Sequence, residues 1–333
     1  MTDVFFIERE QHGARLQHVV AARYPDVSVG SLRRLMIQGG VRVNGIAGTR
    51  NMKVSEGDRV EAALPDEEVR PAKTRRREAL DILYEDAACL AINKPAGLAV
   101  VPERNAEDYP LMDALLDHAR RQAPAAAGQP VRPMIVHRLD RDTTGVLLIA
   151  KGPDAMRDLT EQFAGRSVRK EYLAIVRGRP PQEAEIALRL TSRRARRGRT
   201  IVNERHGREA LTLVTVEEYF RGFALVRAVP KTGRTHQVRA HLRAAGCPVV
   251  ADPLYGESRE PSPLYLSEMK RGYRPKKGQP EPPVIARQAL HAARLEFDTP
   301  LPGGRRRVTV EAPLPKDMER TLKMLRKYRP EPV

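Results

Sequence analysis

The sequence predicts an α+β protein: a larger domain with a mainly antiparallel mixed sheet, and a small N-terminal domain with a helix pair and a hairpin. Three observations lead to this expectation. Apolar runs of strand length outnumber the segments with helical periodicity. Strands and helices do not alternate regularly, as they do in parallel-sheet proteins. A charged stretch without apolar periodicity divides the chain. We therefore expect domains over residues 1–64 and 79–333, joined by a charged linker over residues 65–78.

In the first domain, apolar residues follow two kinds of spacing. Helical spacing occurs twice, at Leu16, Val19 and Val20 and again at Leu32, Leu35 and Met36. The segment Val41–Gly45 then alternates like a strand and ends in an Asn-Gly turn, the strongest short signal for a hairpin. Three basic side chains on the other faces are candidate RNA contacts: Arg33, Arg34 and Arg42. We expect an RNA-binding module; the alternative is a subdomain that only packs on the main body.

The larger domain is predicted to contain many strands and few helices. The clearest strand candidates are residues 82–84, 89–92, 146–150, 172–176, 211–216 and 224–229. Helical periodicity marks residues 111–120, 155–163 and 236–245. We expect Thr235 to be the N-cap of the third of these helices and Gly246 to end it.

The charge of the chain indicates a polyanionic partner. Lysine and arginine total 59 against 42 acidic residues, a formal net charge of +17, which attracts RNA, DNA or an anionic membrane surface. Seven arginines and a single acid, Glu204, lie between Ser192 and Arg208. Because the sequence has no Trp and 5% aromatic residues, a stacking platform for single strands is not the expected binding mode. The alternative is a basic protein whose charge serves only solubility.

Several function classes have no support in the sequence. It lacks an apolar run of about 18 residues, so we expect no membrane span, and its first residues do not resemble a secretory signal. Cys89 and Cys247 lie far apart, which favours buried thiols in a reducing cytoplasm. The sequence motifs of nucleotide hydrolysis, dinucleotide binding and serine hydrolysis are also missing.

Two polar clusters in the larger domain are candidates for chemistry. The turn that contains His137, Arg138 and Asp140 runs directly into an apolar strand, and catalytic groups usually lie on such rigidly held loops. Taken alone, this turn is equally consistent with side chains that cap backbone amides. The second cluster is Lys170-Glu171-Tyr172, and a tyrosine at a strand start is more often a packing residue.

A third polar cluster, residues 230–241, leads into the predicted helix at 236–245. Four hydrogen-bond donors lie in or near its first turn: Arg234, His236, Gln237 and Arg239. Such donors suit an anion, either a phosphate or a protein carboxylate. His236 and His241 are five residues apart, which is not the spacing of a helical metal pair, so we expect no metal site.

Together the three clusters resemble the RluA-type family of RNA pseudouridine synthases, and the likeness runs over about residues 80–312. The motifs that carry it are ILYED and INKPAGL, HRLDRDTTG, KEY, TGRTHQVRAH, DPLYG at 252–256, and RQALHAARLEF at 287–297. The first domain resembles the alpha-L RNA-binding module of a small-subunit ribosomal protein. Three departures from the family pattern are Thr144 in place of Ser, Ala251 in place of Gly, and Asp298-Thr299 in place of a His before Pro300.

This resemblance implies the isomerisation of uridine to pseudouridine within RNA: the N1–C1′ bond breaks, the uracil turns, and C5 bonds to C1′. It implies no metal, redox cofactor or energy donor. Asp140 would be the essential carboxylate, either as a nucleophile at C1′ or as the base that gives a glycal. Arg239 would pair with Asp140. Tyr172 would stack on the uracil, with its hydroxyl as a candidate base for the C5 proton.

The resemblance also implies residues that bind the substrate. Arg138 would fill the gap that the flipped uridine leaves, since the target atom cannot be reached within a helical stack. Val238 would line the base pocket. His137 is counted with this group, and we interpret both His137 and His236 as scaffold hydrogen-bonders rather than acid–base groups.

The expected target is structured RNA, with large-subunit ribosomal RNA in a pre-ribosomal particle first and transfer RNA second. Two other classes compete: a non-catalytic ribosome-assembly factor, and a nucleoside hydrolase, which usually pairs two carboxylates. Asp142 is the second acid near Asp140 in the sequence. We expect a cytoplasmic monomer that requires no cofactor.

Overall fold

The computed structural model describes residues 2–24, 27, 29–63, 80–101, 110–122, 132–192, 199–256, 263–275, 278–301 and 303–331. These residues form two compact units. One contains the described residues up to 63 and the segment 110–121, and the other contains residues 80–100 and the described residues from 132 onward. The expected boundaries at 64 and 79 lie outside the described residues, so the three-part division stays a prediction.

The first unit contains a small antiparallel sheet with the order β1-β4-β2-β3. Its elements are β1 (Thr2–Phe6), α1 (Leu16–Arg23), α2 (Val29–Ile37), β2 (Val41–Val43), β3 (Ile46–Ala47), β4 (Arg59–Ala63) and α3 (Pro110–Gln122). The predicted hairpin is present, and Asn44 and Gly45 have φ values of 51° and 82°, as a type I′ turn requires. Most of the residues with helical spacing are buried in its core: Leu16, Val19, Val20, Leu32 and Met36.

The second unit is built on a large mixed sheet. Its strands are β5 (Ile82–Glu85), β6 (Cys89–Lys94), β7 (Pro133–Ile135), β8 (Thr144–Lys151), β9 (Arg169–Arg177), β10 (Glu183–Thr191), β11 (Ile201–Val202), β12 (Arg208–Phe220), β13 (Phe223–Pro230), β14 (Leu290–Leu301) and β15 (Gly304–Glu311). The order is β11-β10-β12-β13-β9-β14-β8-β6-β5, with β7 beside β8 and β15 beside β14. Among these strands, β14 and β8 pair in parallel and the other pairs are antiparallel. The predicted α+β class with a mainly antiparallel sheet is therefore confirmed.

The helices of the second unit are α4 (Pro153–Ala164), α5 (Gln237–Ala244), α6 (Leu266–Met269) and α7 (Lys316–Tyr328). The expectation of Thr235 as the N-cap of α5 is wrong. His236 is the N-cap, in the left-handed region with φ 53°, and the Gln237 side chain accepts the turn's Arg234 N–H at 3.0 Å. None of the described helices has the length and apolar character needed to cross a bilayer.

Two apolar clusters fix the sheet to its helices. Val226 of β13 packs in one cluster with Leu242 of α5 and Leu322 of α7. Leu148 of β8 packs in the other with Leu159 of α4. Each of these side chains is at most 3% exposed. Because β8, β9 and α5 carry the three polar clusters, the packing brings those clusters to neighbouring positions.

Candidate active site

Asp140 lies on a tight turn between β7 and β8. The Thr143 N–H donates to the Asp140 carbonyl at 3.1 Å, and the neighbouring Leu139 side chain is buried, so the turn is anchored at its centre. The Asp140 side chain itself is 18% exposed. Its carboxylate is thus accessible from solvent while its main chain is held in place.

Arg239 of α5 binds Asp140 from inside the protein. Its Nη1 donates to Asp140 Oδ2 at 2.7 Å, and its side chain is 3% exposed. The other edge of the guanidinium donates from Nε and Nη2 to the two oxygens of Asp252, each at 2.7 Å. Burial alone would lower the pKa of Arg239, but the hydrogen bonds and charges of Asp252 and Asp140 outweigh burial and raise it. From the sequence, the anion bound at the start of this helix could be either a phosphate or a protein carboxylate. In the structure, Arg239 binds two carboxylates, those of Asp140 and Asp252.

Asp252 was not singled out from the sequence as a functional residue, although it opens the DPLYG motif. Its side chain is fully buried. Besides Arg239, its Oδ1 accepts the N–H groups of Leu254 and Tyr255 at 2.9 and 3.0 Å. These four donors satisfy the buried carboxylate, and the two donors from Arg239 fix the plane of the guanidinium. Asp252 therefore orients Arg239 toward Asp140.

Side chains from two other segments hold the main chain of the Asp140 turn. The ammonium group of Lys94, on β6, donates to the carbonyls of Pro95, Leu98 and Arg141 at 2.7–2.9 Å. Arg287 donates to the carbonyl of Asp142 at 3.0 Å.

Farther along the turn, the Thr144 hydroxyl donates to His291 Nδ1 at 2.8 Å, and His291 Nε2 donates to the carbonyl of Ala312 at 3.2 Å. These bonds tie the turn to β14. The lysine and the histidine both stand in motifs that carry the family resemblance, but no local pattern tells which turn they support.

Tyr172 lies on β9 between two small neighbours, Ala228 of β13 and Ala292 of β14. These alanines leave the ring room above the sheet, because directly opposed residues share one face. Burial and the nearby negative charge of Asp140 raise the pKa of Tyr172. The hydroxyl of Tyr172 therefore stays protonated at neutral pH.

Glu171 faces the opposite side of β9 from Tyr172. Its carboxylate pairs with Arg227 and Arg169, each at 2.7 Å. The acid and the tyrosine of the KEY motif thus lie on opposite faces of the sheet, and the acid forms ion pairs with neighbouring arginines.

The other predicted contact residues fall into different environments. Arg138 is exposed, and its positive charge acts on His236. Val238 is 6% exposed and belongs to the apolar cluster of α5. His137 stacks on Phe163 with ring centroids 4.7 Å apart, and its Nε2 accepts the Leu148 N–H at 3.0 Å. Since burial also lowers the pKa of His137 to about 3, the scaffold interpretation fits it better than contact with RNA.

The three N-terminal arginines lie in the first unit. Arg42 is exposed on β2 and Arg33 is half-buried on α2, whereas the side chain of Arg34 is outside the described residues. No group of three metal-ligating side chains is found in the described parts of the chain.

Comparisons with known proteins give one consistent result. Residues 88–244 match the family model described as RNA pseudouridylate synthase. Ribosomal large subunit pseudouridine synthase D of Neisseria meningitidis serogroup B is 34% identical over 317 residues, which cover 95% of this chain and 80% of that protein. The protein of the same name from Zymomonas mobilis is 33% identical, covering 97% and 98%.

A solved structure supports the same assignment. Human RNA Pseudouridylate Synthase Domain Containing 4 superposes with a TM-score of 0.57 at 28% identity, covering 76% of this chain and 94% of that one. Asp140 and Arg239 both lie within the residues that match the family model, 88–244. From the length and identity of these matches, the chain belongs to the RNA pseudouridylate synthase family, the enzymes that isomerise uridine in RNA to pseudouridine.

Proposed function

We propose that this pseudouridine synthase uses Asp140 as its essential carboxylate and acts on large-subunit ribosomal RNA. The observation that supports the catalytic role is the pair between Asp140 and Arg239, which places a partly exposed carboxylate beside a buried guanidinium. A buried charge without a partner costs several kcal/mol, and a fixed guanidinium offsets that cost. Arg239 is itself fixed by Asp252.

The two oxygens of Asp140 stand in different environments. Oδ2 accepts from Arg239, so it is occupied. Oδ1 faces His236 Nε2 at 3.6 Å, which is longer than a hydrogen bond. We assign Oδ1 as the reacting oxygen, whether it attacks C1′ or removes a sugar proton. Tyr172 would then contact the uracil face, and Arg138, exposed beside the turn, would occupy the space of the flipped nucleotide.

The hydrolase alternative is less well supported. Hydrolysis by a pair of acids needs a second carboxylate with access to water. Asp252 is fully buried and bound on both oxygens. Asp142 has Arg141 3.8 Å from its carboxylate and gives its main-chain carbonyl to Arg287. A single acid with an arginine partner suits isomerisation better than a hydrolytic acid–base pair.

The RNA target is inferred from the relatives. The proteins from Neisseria meningitidis and Zymomonas mobilis are named for the large ribosomal subunit, and they match over nearly the whole of this chain. The net charge of +17 suits a large polyanion. We propose that the first unit acts as an RNA-binding module through Arg33, Arg34 and Arg42. The two cysteines are free, buried thiols, as expected in a reducing cytoplasm.

Tritium release from RNA labelled at C5 of uridine tests the proposed catalytic group, since the C5 hydrogen leaves when pseudouridine forms. Asp140→Asn should abolish release while RNA binding stays within about twofold, because the substitution removes the charge and preserves the shape. Asp154→Asn is the matched control, since the Asp154 side chain is 94% exposed and lies on α4. Retained turnover in Asp140→Asn would sink the assignment.

The target is tested separately. Pseudouridines are mapped in ribosomal and transfer RNA of a strain that lacks the gene, with and without the wild-type chain supplied in trans. Loss and recovery at positions in large-subunit RNA supports the proposal, and loss confined to transfer RNA contradicts it.

A further inference from the structure

The carboxylate of Asp140 meets two different donors, one at each oxygen. Arg239 binds Oδ2 at 2.7 Å. His236, at the start of α5, directs Nε2 at Oδ1 from 3.6 Å. Whether that nitrogen offers a proton or a lone pair depends on the tautomer of His236, and the tautomer depends on what Nδ1 meets.

His236 Nδ1 lies 3.0 Å from the hydroxyl of Tyr255. This hydroxyl also accepts the Thr200 N–H at 2.6 Å. It has one proton of its own to donate. Among the described residues the Thr200 hydroxyl is a buried group without a hydrogen-bond partner, so it does not take that proton. The remaining acceptor is His236 Nδ1.

We infer that Tyr255 holds His236 in the neutral tautomer with its proton on Nε2, and that this N–H positions the reacting oxygen of Asp140. The inference rests on the proposed catalytic role of Asp140. His236 is then a positioning residue: it points a neutral donor at Oδ1 and leaves the negative charge of the carboxylate intact. The distance of 3.6 Å is longer than a hydrogen bond, and catalytic hydrogen bonds commonly shorten when substrate binds.

The position of Tyr255 is itself tightly fixed. Tyr255 is 3% exposed, and two guanidinium groups lie over its ring, Arg239 at 5.0 Å and Arg199 at 5.4 Å from the centroid. The His236 ring meets it edge to face, with centroids 5.7 Å apart at 83°. The Tyr255 side chain therefore cannot move its hydroxyl away from Nδ1 without losing these contacts.

A single turn orients both groups that face Asp140. Within DPLYG, Asp252 holds Arg239 and Tyr255 holds His236. Arg199 and Thr200 also lie within the arginine-rich stretch between Ser192 and Arg208. This stretch is therefore connected to Asp140 by a series of contacts: the Thr200 N–H binds Tyr255, Tyr255 binds His236, and His236 faces the Asp140 carboxylate.

The charges around His236 agree with a neutral ring. Burial and the positive charges of Arg239 and Arg138 lower its pKa, and the negative charges of Asp140 and Asp252 raise it; the net effect is a pKa below the ordinary value. The imidazole therefore stays neutral at pH 7, as the inferred tautomer requires.

The direct test is nitrogen NMR of the full-length protein labelled with ¹⁵N-histidine. Long-range nitrogen–proton correlations at pH 7 should show His236 protonated on Nε2 and bare on Nδ1. Tyr255→Phe, which removes only the hydroxyl, should convert this signature into a mixture of tautomers. Tyr219→Phe is the matched control, because the Tyr219 hydroxyl donates to the Pro180 carbonyl and should leave the signature unchanged. A proton on Nδ1, or an imidazolium, in the wild type would overturn the inference.

Kinetics give an independent measurement. Under single turnover with saturating RNA, Tyr255→Phe should react about tenfold more slowly, the effect of one lost hydrogen bond, with unchanged affinity for RNA. His236→Gln keeps an N–H near the position of Nε2 and should retain most of the rate, whereas His236→Leu should lose it. Equal losses in these two variants overturn the positioning role. If Asp140→Asn were active, the proposed function would fail while the NMR signature could still be read, so the two failures are distinct.

Discussion

The ammonium group of Lys94 donates a hydrogen bond to the main-chain carbonyl of Arg141 at 2.8 Å, one residue beyond Asp140. All three protons of the ammonium are used, since Pro95 and Leu98 supply the other two carbonyls. Lys94 is fully buried. A lysine whose ammonium group binds three main-chain carbonyls therefore ties the Asp140 turn to β6.

The first prediction is that catalysis declines as this lysine loses its proton. Burial lowers the pKa of Lys94 to about 8 from an ordinary 10.5, although Asp142 and Asp140 partly offset burial. Above pH 8 the neutral amine has two protons for three carbonyls, so the turn loosens. The single-turnover rate should fall with a midpoint near pH 8. The free energy of unfolding changes in the opposite direction, because the unfolded chain binds this proton more tightly than the folded one. The buried charge lowers the free energy of unfolding below pH 8. This loss is relieved as the pH rises from 8 toward 10.5.

Two lysine variants check this assignment. Lys94→Met should be slow at every pH and should lose the alkaline decline. Lys151→Met removes a lysine that pairs with Glu85 and should keep the decline. A wild-type rate that stays constant from pH 7 to pH 9.5 would rule out Lys94 as its cause.

The second prediction concerns Gly145, where the turn enters β8. Its φ is 109°, and an added Cβ would lie 2.1 Å from the carbonyl oxygen of Ala292 on β14. Gly145→Ala should therefore lower the free energy of unfolding by roughly 3 kcal/mol or more, since backbone strain and a backbone clash add.

Gly222→Ala separates these two causes. Gly222 also has a positive φ, 81°, but nothing lies within 4 Å of its added Cβ. Strain alone predicts a loss of about 1–2 kcal/mol. Urea unfolding of both variants measures the difference, and equal losses would show that the contact with β14 is not tight.

The third prediction is that removing Arg239 damages stability and activity together. Arg239→Ala leaves the buried carboxylate of Asp252 without its partner, which should lower the free energy of unfolding by about 3–5 kcal/mol. Arg239→Lys keeps the charge but cannot bind Asp252 through two nitrogens and Asp140 through a third. We expect it to fold and to lose most tritium release.

An exposed arginine provides the comparison. Arg326 pairs with Glu218 at 2.7 Å, and its side chain is 56% exposed. Arg326→Ala should change the free energy of unfolding by no more than about 1 kcal/mol. A similar loss in both alanine variants would contradict a special role for the buried pair.

The fourth prediction is a loss of stability in mild acid. Burial lowers the pKa of His137 to about 3, helped by Lys170, and lowers that of His241 to about 4. The ordinary value is 6.5 in both cases, so the unfolded chain binds these protons first as pH falls from 6.5. Each histidine should cost about 1–2 kcal/mol between pH 7 and pH 5. His241→Gln should reduce this difference in urea unfolding, whereas His206→Gln, on the surface, should not.

The fold class, the first hairpin and the helices α3, α4 and α5 could be predicted from the sequence, because each has a local pattern of apolar residues. Strand β14 could not. Its sequence LHAARLEFDTPL mixes small, charged and apolar residues, and its place in the sheet depends on partners far along the chain. His291 pairs with Thr144, and Leu295 pairs with Lys170. The helix α7 was not predicted either, although its buried side of Met318, Leu322 and Leu325 has helical spacing.

The sequence motifs predicted Asp140, Arg239 and Tyr172 as site residues. In the structure, Asp140 and Arg239 are in contact. The supports of these residues were not predicted. Lys94, Asp252 and Arg287 act on backbone or on other side chains across the fold, and such a role depends on distance rather than on sequence spacing.

The departures from the family pattern have local explanations. Thr144 retains the hydroxyl of the usual serine and uses it on His291. Ala251 adopts φ 55°, the left-handed region that favours the glycine common there. The Thr299 hydroxyl donates to Asp86 at 2.6 Å, which gives a buried polar role to the place where the family usually carries histidine.

The parallel pairing of β14 with β8 has a consequence for the moment at which the enzyme becomes active during synthesis. The ribosome makes Asp140 and Arg239 well before it makes Arg287 and His291, which hold the Asp140 turn. Until that late segment has left the exit tunnel, β8 and β9 lack the strand that lies between them. A nascent chain therefore carries Asp140 and Arg239 without the strand that frames them, and we expect RNA modification to begin only when translation is almost complete.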